Sequence, residues 1–255
     1  MTPSPVLIHS VKQNAERFLE TDKRRSQQSR SRGEPNLGSE SEEGLAIEAG
    51  LQRWFAFARN AGRDPQPRAH GFASDLALAE EIEAEERLLV TIAAEWSAAR
   101  FFDEHTKGTP DYTKGSEHYV VRYRADDKNR VLKATIPGKF GRYEYTPTIY
   151  LNSLRLLNEF VPALDIRLHG IRVAADSRPS IVSSMQYIKG KHPHPKQIES
   201  YLFGLEWEHF DDKSETLDFR HKGSGQIIRD AHPRNWVYQP SSESMVPIDI
   251  SIEEH

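Results

Sequence analysis

The spacing of apolar residues changes near position 110 of the chain, from a helical repeat to the short runs of β-strands. Before this point, apolar side chains recur at helical spacing over residues 45–62 and over residues 75–102. Ser74 precedes the second stretch, and glutamates crowd its first turns, where the dipole of a helix favours negative charge. The pattern therefore predicts a helical region over residues 45–108, with aromatic side chains that serve as core.

Beyond residue 109 the pattern predicts a second, α+β region that extends to residue 255. Its predicted elements are a hairpin over 118–136, a helix over 146–160, strands over 165–173 and 178–188, a helix over 195–210, and short strands within 216–251. Pro195 suits the first position of its helix, because the amide that proline lacks has no helical partner there.

Residues 1–44 are set apart by their composition. The stretch 21–43 is rich in Ser, Arg, Gln, Gly and Pro and holds almost no large apolar side chain. Such a stretch cannot bury enough surface to offset the entropy lost on ordering, so we expect a mobile N-terminal segment and linker. The basic run over 23–32 suits a small nucleic-acid or phosphate patch, but acidic residues follow at once, which favours a solvated linker.

Composition and charge exclude several classes of function. The 255 residues carry a net charge of −4, so general affinity for nucleic acid is not implied. The chain has no cysteine, which excludes disulfides, thiolate catalysis and cysteine-based zinc sites. It has no apolar run long enough to span a membrane and no signal-peptide pattern at its start. A cytoplasmic location without a membrane partner is therefore expected.

Four polar residues stand out when they are taken together. Lys133 lies mid-strand among apolar neighbours, Asp230 and Asn235 share a loop between two short strands, and Asp249 ends an apolar run. Each of these alone is ordinary. As an ordered set they suit phosphoryl transfer from Mg·ATP, which needs a cation on the phosphates, oxygen ligands for Mg²⁺ and a carboxylate near the acceptor hydroxyl.

The segment RDAHPRN over residues 229–235 resembles a protein-kinase catalytic loop in which Ile228 stands where a histidine is usual. Together with the segments around Lys133 and Asp249, it resembles the compact kinase-like domain of bacterial and phage polyvalent proteins, over residues 113–251. The resemblance implies a minimal kinase-like fold, with an N-lobe sheet and helix and a truncated C-lobe. The N-terminal hundred residues are not covered by it.

The resemblance also implies a role for each matching residue. Lys133 would hold the α- and β-phosphates of ATP, Asp230 would orient or deprotonate the acceptor hydroxyl, and Asn235 and Asp249 would bind Mg²⁺. Further positions would surround the nucleotide: Gly115 and Ser116 in the turn over the phosphates, Gln186, Tyr187 and Ile188 in the hinge beside adenine, and Val120, Val131 and Ile248 against the ring. His232 either contacts a phosphate or caps the turn.

The sequence departs from the kinase pattern in three places. The turn over the phosphates holds one glycine, Gly115, instead of three, and Ile250 and Ser251 follow Asp249 in place of Phe and Gly. The helix after the hairpin carries Ile149 at the register where a glutamate would pair with Lys133. Three other glutamates could serve instead: Glu117, Glu144 and Glu159.

Two hypotheses follow for the function. The first is a Mg·ATP-dependent phosphotransferase that acts on a protein hydroxyl or on itself. The alternative is a pseudokinase-like nucleotide-binding protein or a non-enzymatic interaction scaffold, in which the N-terminal helices dock a protein substrate or partner.

Overall fold

The computed structural model describes residues 44–60, 75–107, 113–115, 117–125, 128–141, 145–210 and 217–254. Residues 1–43, and with them the predicted linker over 21–43, lie outside the described residues. Contacts group Glu42–His255 into one compact unit. The predicted boundary at residue 108 therefore falls between elements that pack on one another.

Five α-helices and twelve β-strands make up the described part of the chain, which confirms the predicted α+β class. The helices are α1 Ile47–Asn60, α2 Asp75–Ile92, α3 Ala99–Thr106, α4 Pro147–Phe160 and α5 Pro195–Gly204. The strands are β1 Leu45–Ala46, β2 Thr113–Lys114, β3 His118–Ala125, β4 Lys128–Thr135, β5 Arg167–Val173, β6 Pro179–Gln186, β7 Trp207–His209, β8 Phe219–His221, β9 Ile227–Arg229, β10 Trp236–Gln239, β11 Ser244–Pro247 and β12 Ser251–Glu253.

The strands form one large and two small antiparallel sheets. The large sheet has the order β1-β5-β6-β4-β3-β2, so β4 and β6 are neighbours although α4 and β5 separate them along the chain. A second sheet has the order β12-β9-β8-β7, and β10 and β11 form a hairpin. The predicted hairpin of β3 and β4 is confirmed, with Val120 opposite Lys133.

Helix α4 begins where the sequence pattern predicts. Thr146 is its N-cap and accepts a 3.3 Å hydrogen bond from the Ile149 amide, and Pro147 takes the first helical position. Tyr150, Leu154 and Leu157 recur at helical spacing and are buried. Helix α4 therefore presents a continuous apolar face to the main core.

Helices α1 and α2 are fixed to the start of α4 by buried polar contacts. Trp54 Nε1 of α1 donates a 3.0 Å hydrogen bond to Thr148 Oγ1. Glu85 of α2 accepts a 2.8 Å hydrogen bond from the Thr148 amide and a 2.9 Å bond from its hydroxyl. The amide of Thr148 lies in the first turn of α4, where no helical carbonyl is in reach, so the Glu85 carboxylate completes the cap.

The single helix predicted over 75–102 is wrong, because the structure divides it into α2 and α3. Residues 96–98 lie along β5 instead: the Ile171 amide donates to Trp96 O at 2.8 Å, and the Ala98 amide donates to Ile171 O at 2.9 Å. At Gly170 the backbone has φ +125° and a side chain would collide with the Trp96 carbonyl. Backbone pairing with the sheet thus competes with helical pairing here and prevails.

The predicted helix over 195–210 starts correctly at Pro195 but ends at Gly204. Glu206 takes a left-handed conformation with φ +65°, which reverses the chain, and β7 then pairs with β8. The helix predicted over 45–62 likewise starts later, at Ile47, because its first two residues form β1 and pair with β5. Within the described residues, no helix is both long enough and apolar enough to cross a membrane.

Candidate functional site

The side chain of Lys133 reaches from the middle of β4 to the turn that carries Asp249. Lys133 Nζ lies 2.7 Å from Asp249 Oδ1 and also donates a 2.9 Å hydrogen bond to the Ile248 carbonyl. Lys133 is 7% exposed, whereas half of the Asp249 side chain is exposed. The ammonium is therefore held in place by protein oxygens, and the carboxylate still faces the open space above it.

The ionisation of Asp249 is set by opposing effects. Partial burial would raise the pKa of this carboxyl, but the charge of Lys133 and the hydrogen bond from its ammonium outweigh that effect and lower the pKa below its ordinary value. Burial itself lowers the pKa of His118 to about 4, so its ring is neutral at pH 7. Lys133 is therefore the cation that keeps Asp249 ionised at neutral pH.

Asp230 and Asn235 are held together in the loop after β9. Asn235 Nδ2 donates a 2.8 Å hydrogen bond to Asp230 Oδ2 and a 2.9 Å bond to the Asp230 carbonyl. Both amide protons of Asn235 are used in this way, so the atom that this side chain offers to a cation is Oδ1. The Ile248 amide donates a 2.8 Å bond to the Asn235 carbonyl, which ties this loop to the residue before Asp249.

Of the two alternatives for His232, the structure shows the cap. Its Nδ1 accepts a 3.2 Å hydrogen bond from the Arg234 amide at the start of a 3-10 turn over Pro233–Asn235. This turn brings Asn235 back toward Asp230, five positions earlier in the chain. The cap therefore contributes to the spacing on which the Asp230–Asn235 contact depends.

Lys133, Asp230 and Asp249 line one cleft that is open to solvent. Glu117, His118 and Tyr150 are further polar residues of its wall, and Met185, Leu154 and Leu157 are apolar ones. The cleft thus combines one buried cation, several carboxylates and an apolar wall. Such a mixture suits a ligand with both an anionic and an apolar part.

The predicted hinge and ring positions are not among the described residues that line this cleft, although Met185, next to Gln186 on β6, is one of them. The Tyr187 amide and Gln186 Nε2 both donate to the Asn129 carbonyl, at 2.9 Å and 3.0 Å, so the hinge segment is fixed to β4. Val131, opposite Met185 in the sheet, packs with Ile188 and Ile248 against the main core. These three side chains are partly buried, so part of their apolar surface stays exposed to solvent.

The predicted turn over the phosphates is described only in part. The Gly115 amide donates a 2.8 Å hydrogen bond to the His118 carbonyl, which closes the turn between β2 and β3. Val120 follows in β3, opposite Lys133. The prediction for Ser116 lies outside the described residues.

The carboxylate bound to Lys133 is Asp249, not a glutamate of α4. Glu159 pairs with Arg155 in the last turn of the helix, and Glu144 lies outside the described residues. Glu117 lines the cleft. The residues of α4 that line the cleft are Tyr150, Ser153, Leu154 and Leu157, and the expected Ile149 is not among them.

His118 and Tyr150 are cleft residues that were not predicted as a pair. His118 Nε2 lies 3.1 Å from Tyr150 Oη, and both side chains are buried. Burial raises the pKa of the Tyr150 phenol, so its hydroxyl stays protonated at neutral pH. The apolar periodicity of α4 placed Tyr150 on the core face, but it carries no signal for a histidine partner on β3.

Comparison of this chain with protein-family models, with curated proteins and with solved structures gave no match. Among the residues that the structure describes, no group of three His, Cys, Asp or Glu side chains is arranged to hold a metal ion. Of the two predicted Mg²⁺ ligands, Asp249 lines the cleft, and Asn235 is not among the described residues that line it.

Proposed function

We propose that this protein is a Mg·ATP-dependent phosphotransferase with a minimal kinase-like fold, which transfers the γ-phosphoryl group to a protein hydroxyl or to itself. The observation that carries the proposal is the 2.7 Å contact between Lys133 and Asp249 in a cleft that Asp230 also lines. These residues come from strand β4, from the loop after β9 and from the turn before β12. Their convergence supports a single site for phosphoryl transfer.

The order of the elements around the cleft supports the kinase-like fold. The lysine strand β4 is followed by α4, whose side chains line the cleft, and then by β5 and β6, of which β6 returns to pair with β4. The loop with Asp230 and Asn235 and the turn with Asp249 belong to the smaller part that follows α5. This agrees with an N-lobe of sheet and helix and a short second lobe.

The side-chain oxygens of Asp249 and Asn235 are of the chemical type that binds magnesium. Mg²⁺ prefers oxygen ligands, and in nucleotide sites it is held by one or two carboxylates together with phosphate oxygens and water. Asp249 offers the carboxylate and Asn235 the amide oxygen, while Lys133 offers the positive charge for the phosphates. When bound, Mg²⁺ supplies neutralisation of the negative charge on the phosphates.

The residues of the chain account for the transfer step. The acceptor hydroxyl oxygen forms a bond to the γ-phosphorus, the bond from that phosphorus to the β–γ bridging oxygen breaks, and ADP leaves with the electron pair. Asp230 is exposed in the cleft and accepts the hydroxyl proton. Lys133 stays on the phosphates during the step. Asn235 orients Asp230 through its hydrogen bond to Oδ2.

The proposal is tested by separating binding from transfer. Affinity for ATP with and without Mg²⁺ is measured by calorimetry for the wild type, Asp249→Asn and Asp230→Asn, and γ-labelled ATP then reports transfer. Asp176→Asn is the matched control, because within the described part of the chain the side chain of Asp176 bonds with Arg178 alone, in an exposed turn. We expect Asp249→Asn to lose Mg²⁺-dependent affinity, and Asp230→Asn to keep affinity and lose transfer.

Equal Mg²⁺-dependent affinity of Asp249→Asn and the wild type would contradict the metal role of Asp249. Binding without transfer by the wild type would instead favour the nucleotide-binding pseudokinase. No binding of Mg·ATP by the wild type at millimolar concentration would exclude both functions and favour the interaction scaffold.

A further inference from the structure

A buried acidic network lies beneath the loop that carries Asp230. Asp218, which is 5% exposed, accepts a 3.0 Å hydrogen bond from the Asp230 amide with Oδ1. Its Oδ2 accepts a 2.9 Å bond from Arg229 Nη1. One carboxylate thus binds both the backbone of Asp230 and the charged side chain of the residue before it.

Arg229 is bound by a second carboxylate of the same chain. Its Nε donates a 3.3 Å hydrogen bond to Glu253 on β12, and its guanidinium lies 4.7 Å from the centre of the Phe210 ring. Glu253 also accepts a hydrogen bond from the hydroxyl of Tyr145. Burial would lower the pKa of Arg229, but hydrogen bonds and charge from Asp218 and Glu253 outweigh it and raise the pKa. Arg229 is therefore a permanent cation, and its positive charge is balanced by the carboxylates of Asp218 and Glu253.

The backbone at Asp230 needs such support. Asp230 has φ +58°, in the left-handed region, where residues with a side chain are uncommon. Strained residues of this kind persist only where the surrounding structure over-determines them. Here three hydrogen bonds hold the residue. The Asp230 amide donates to Asp218, and Asn235 Nδ2 donates to the Asp230 carbonyl. The amide of the next residue, Ala231, donates to the Leu217 carbonyl at 2.9 Å.

We propose that Asp218 and Glu253, acting through Arg229 and through the Asp230 amide, are positioning residues that hold Asp230 ready for transfer in the unmodified chain. The inference rests on the proposed function. Its consequence is regulatory: because the charge of Arg229 is met by two carboxylates of the same chain, no phosphate has to be added for the loop around Asp230 to be ordered.

The test compares kcat with KM for ATP in the wild type, Asp218→Asn, Glu253→Gln and the control Asp176→Asn, each after treatment with a phosphatase that is then removed, and untreated wild type is measured beside them. In Asp218→Asn one acceptor of the network becomes an amide donor. We expect kcat to fall by about 10- to 100-fold for Asp218→Asn, and less for Glu253→Gln, with KM and Mg·ATP affinity within about twofold of the wild type. Phosphatase-treated wild type is expected to start transfer without a lag.

Unchanged affinity for Mg·ATP shows that a variant is folded, so a loss confined to kcat reports positioning rather than stability. Loss of affinity together with transfer in both variants would overturn the inference, because their role would then be structural. A kcat for Asp218→Asn within twofold of the wild type would overturn it as well, as would a lag in the treated wild type. Absence of any transfer by untreated wild type would instead overturn the proposed function, and with it this inference.

Discussion

Lys133 Nζ and Asp249 Oδ1 lie 2.7 Å apart, although 116 positions of sequence separate the two residues. Strand β4 carries the lysine to the cleft that α4 also lines, and the aspartate follows the hairpin of β10 and β11 along the chain. The pair joins the large sheet to the smaller part of the molecule. The proposed function of the cleft depends on this contact.

Replacing Lys133 is expected to abolish phosphoryl transfer while leaving the fold intact. In Lys133→Met the stem of the side chain still fills its place in the sheet, but the cation for the phosphates and for Asp249 is lost. We expect kcat/KM to fall by at least about 100-fold, as for the loss of one preorganised charge contact. The measurement is steady-state transfer, with circular dichroism as the control for folding. Full activity of Lys133→Met would contradict the assigned role.

The Glu85 carboxylate gives a second prediction, on the dependence of stability on pH. Burial raises the pKa of Glu85, against the hydrogen bonds from Thr148 and Thr146 that lower it. A raised pKa means that the folded state binds the proton more tightly than the unfolded state. This contribution is therefore present below the ordinary pKa of a glutamate and is lost as the pH rises through the raised value.

The matched variant is Glu85→Gln, which keeps an oxygen acceptor for Thr148 and has no charge to bury. We expect the free energy of unfolding of the wild type, relative to Glu85→Gln, to increase as the pH is lowered from 7 to 4.5. Urea denaturation at both pH values measures it. A difference between the two proteins that does not change with pH, or changes in the opposite direction, would contradict the raised pKa.

His118 leads to a prediction in which stability changes with pH in the opposite direction to that for Glu85. Burial lowers the pKa of its ring to about 4, so the folded protein keeps it neutral where the unfolded chain would bind a proton. The stability that this provides is complete above the unfolded pKa of about 6.5 and is lost as the pH falls toward 4. The loss is roughly 3 kcal/mol by pH 4 at one pKa unit per 1.36 kcal/mol.

The ring of His118 is observed directly by NMR. Its signals are assigned by their absence from the spectrum of His118→Gln, and their chemical shifts are expected to stay constant between pH 7 and pH 5. A titration of the assigned signals with a midpoint near pH 6.5 would show that the ring is solvated, and would contradict its burial against Tyr150.

Local patterns were sufficient to predict most of the elements. The hairpin of β3 and β4 follows from its apolar runs and the polar turn between them, and α4 follows from its apolar repeat and from Thr146 and Pro147 at its start. Each of these signals lies within the element that it predicts. For the same reason Pro195 marked the start of α5 correctly.

Features that depend on distant partners could not be predicted in this way. The break between α2 and α3 depends on the backbone of Ile171, about 75 positions further along the chain. Asp218 follows a polar stretch and has no local pattern, yet it binds the Asp230 amide. The four polar residues were grouped through a resemblance to kinases, since nothing in their spacing alone brings Lys133 to Asp249.

The central claim is that the cleft transfers the γ-phosphoryl group of ATP, and transfer of a label tests it most directly. Purified wild type and Asp230→Asn are incubated with Mg²⁺ and γ-labelled ATP, alone and with a cell lysate, and labelled residues are located by mass spectrometry. We expect Mg²⁺-dependent label on a hydroxyl of this protein or of a lysate protein with the wild type, and a loss of at least about 100-fold with Asp230→Asn. Equal labelling by the two proteins, or none by the wild type, would contradict the claim.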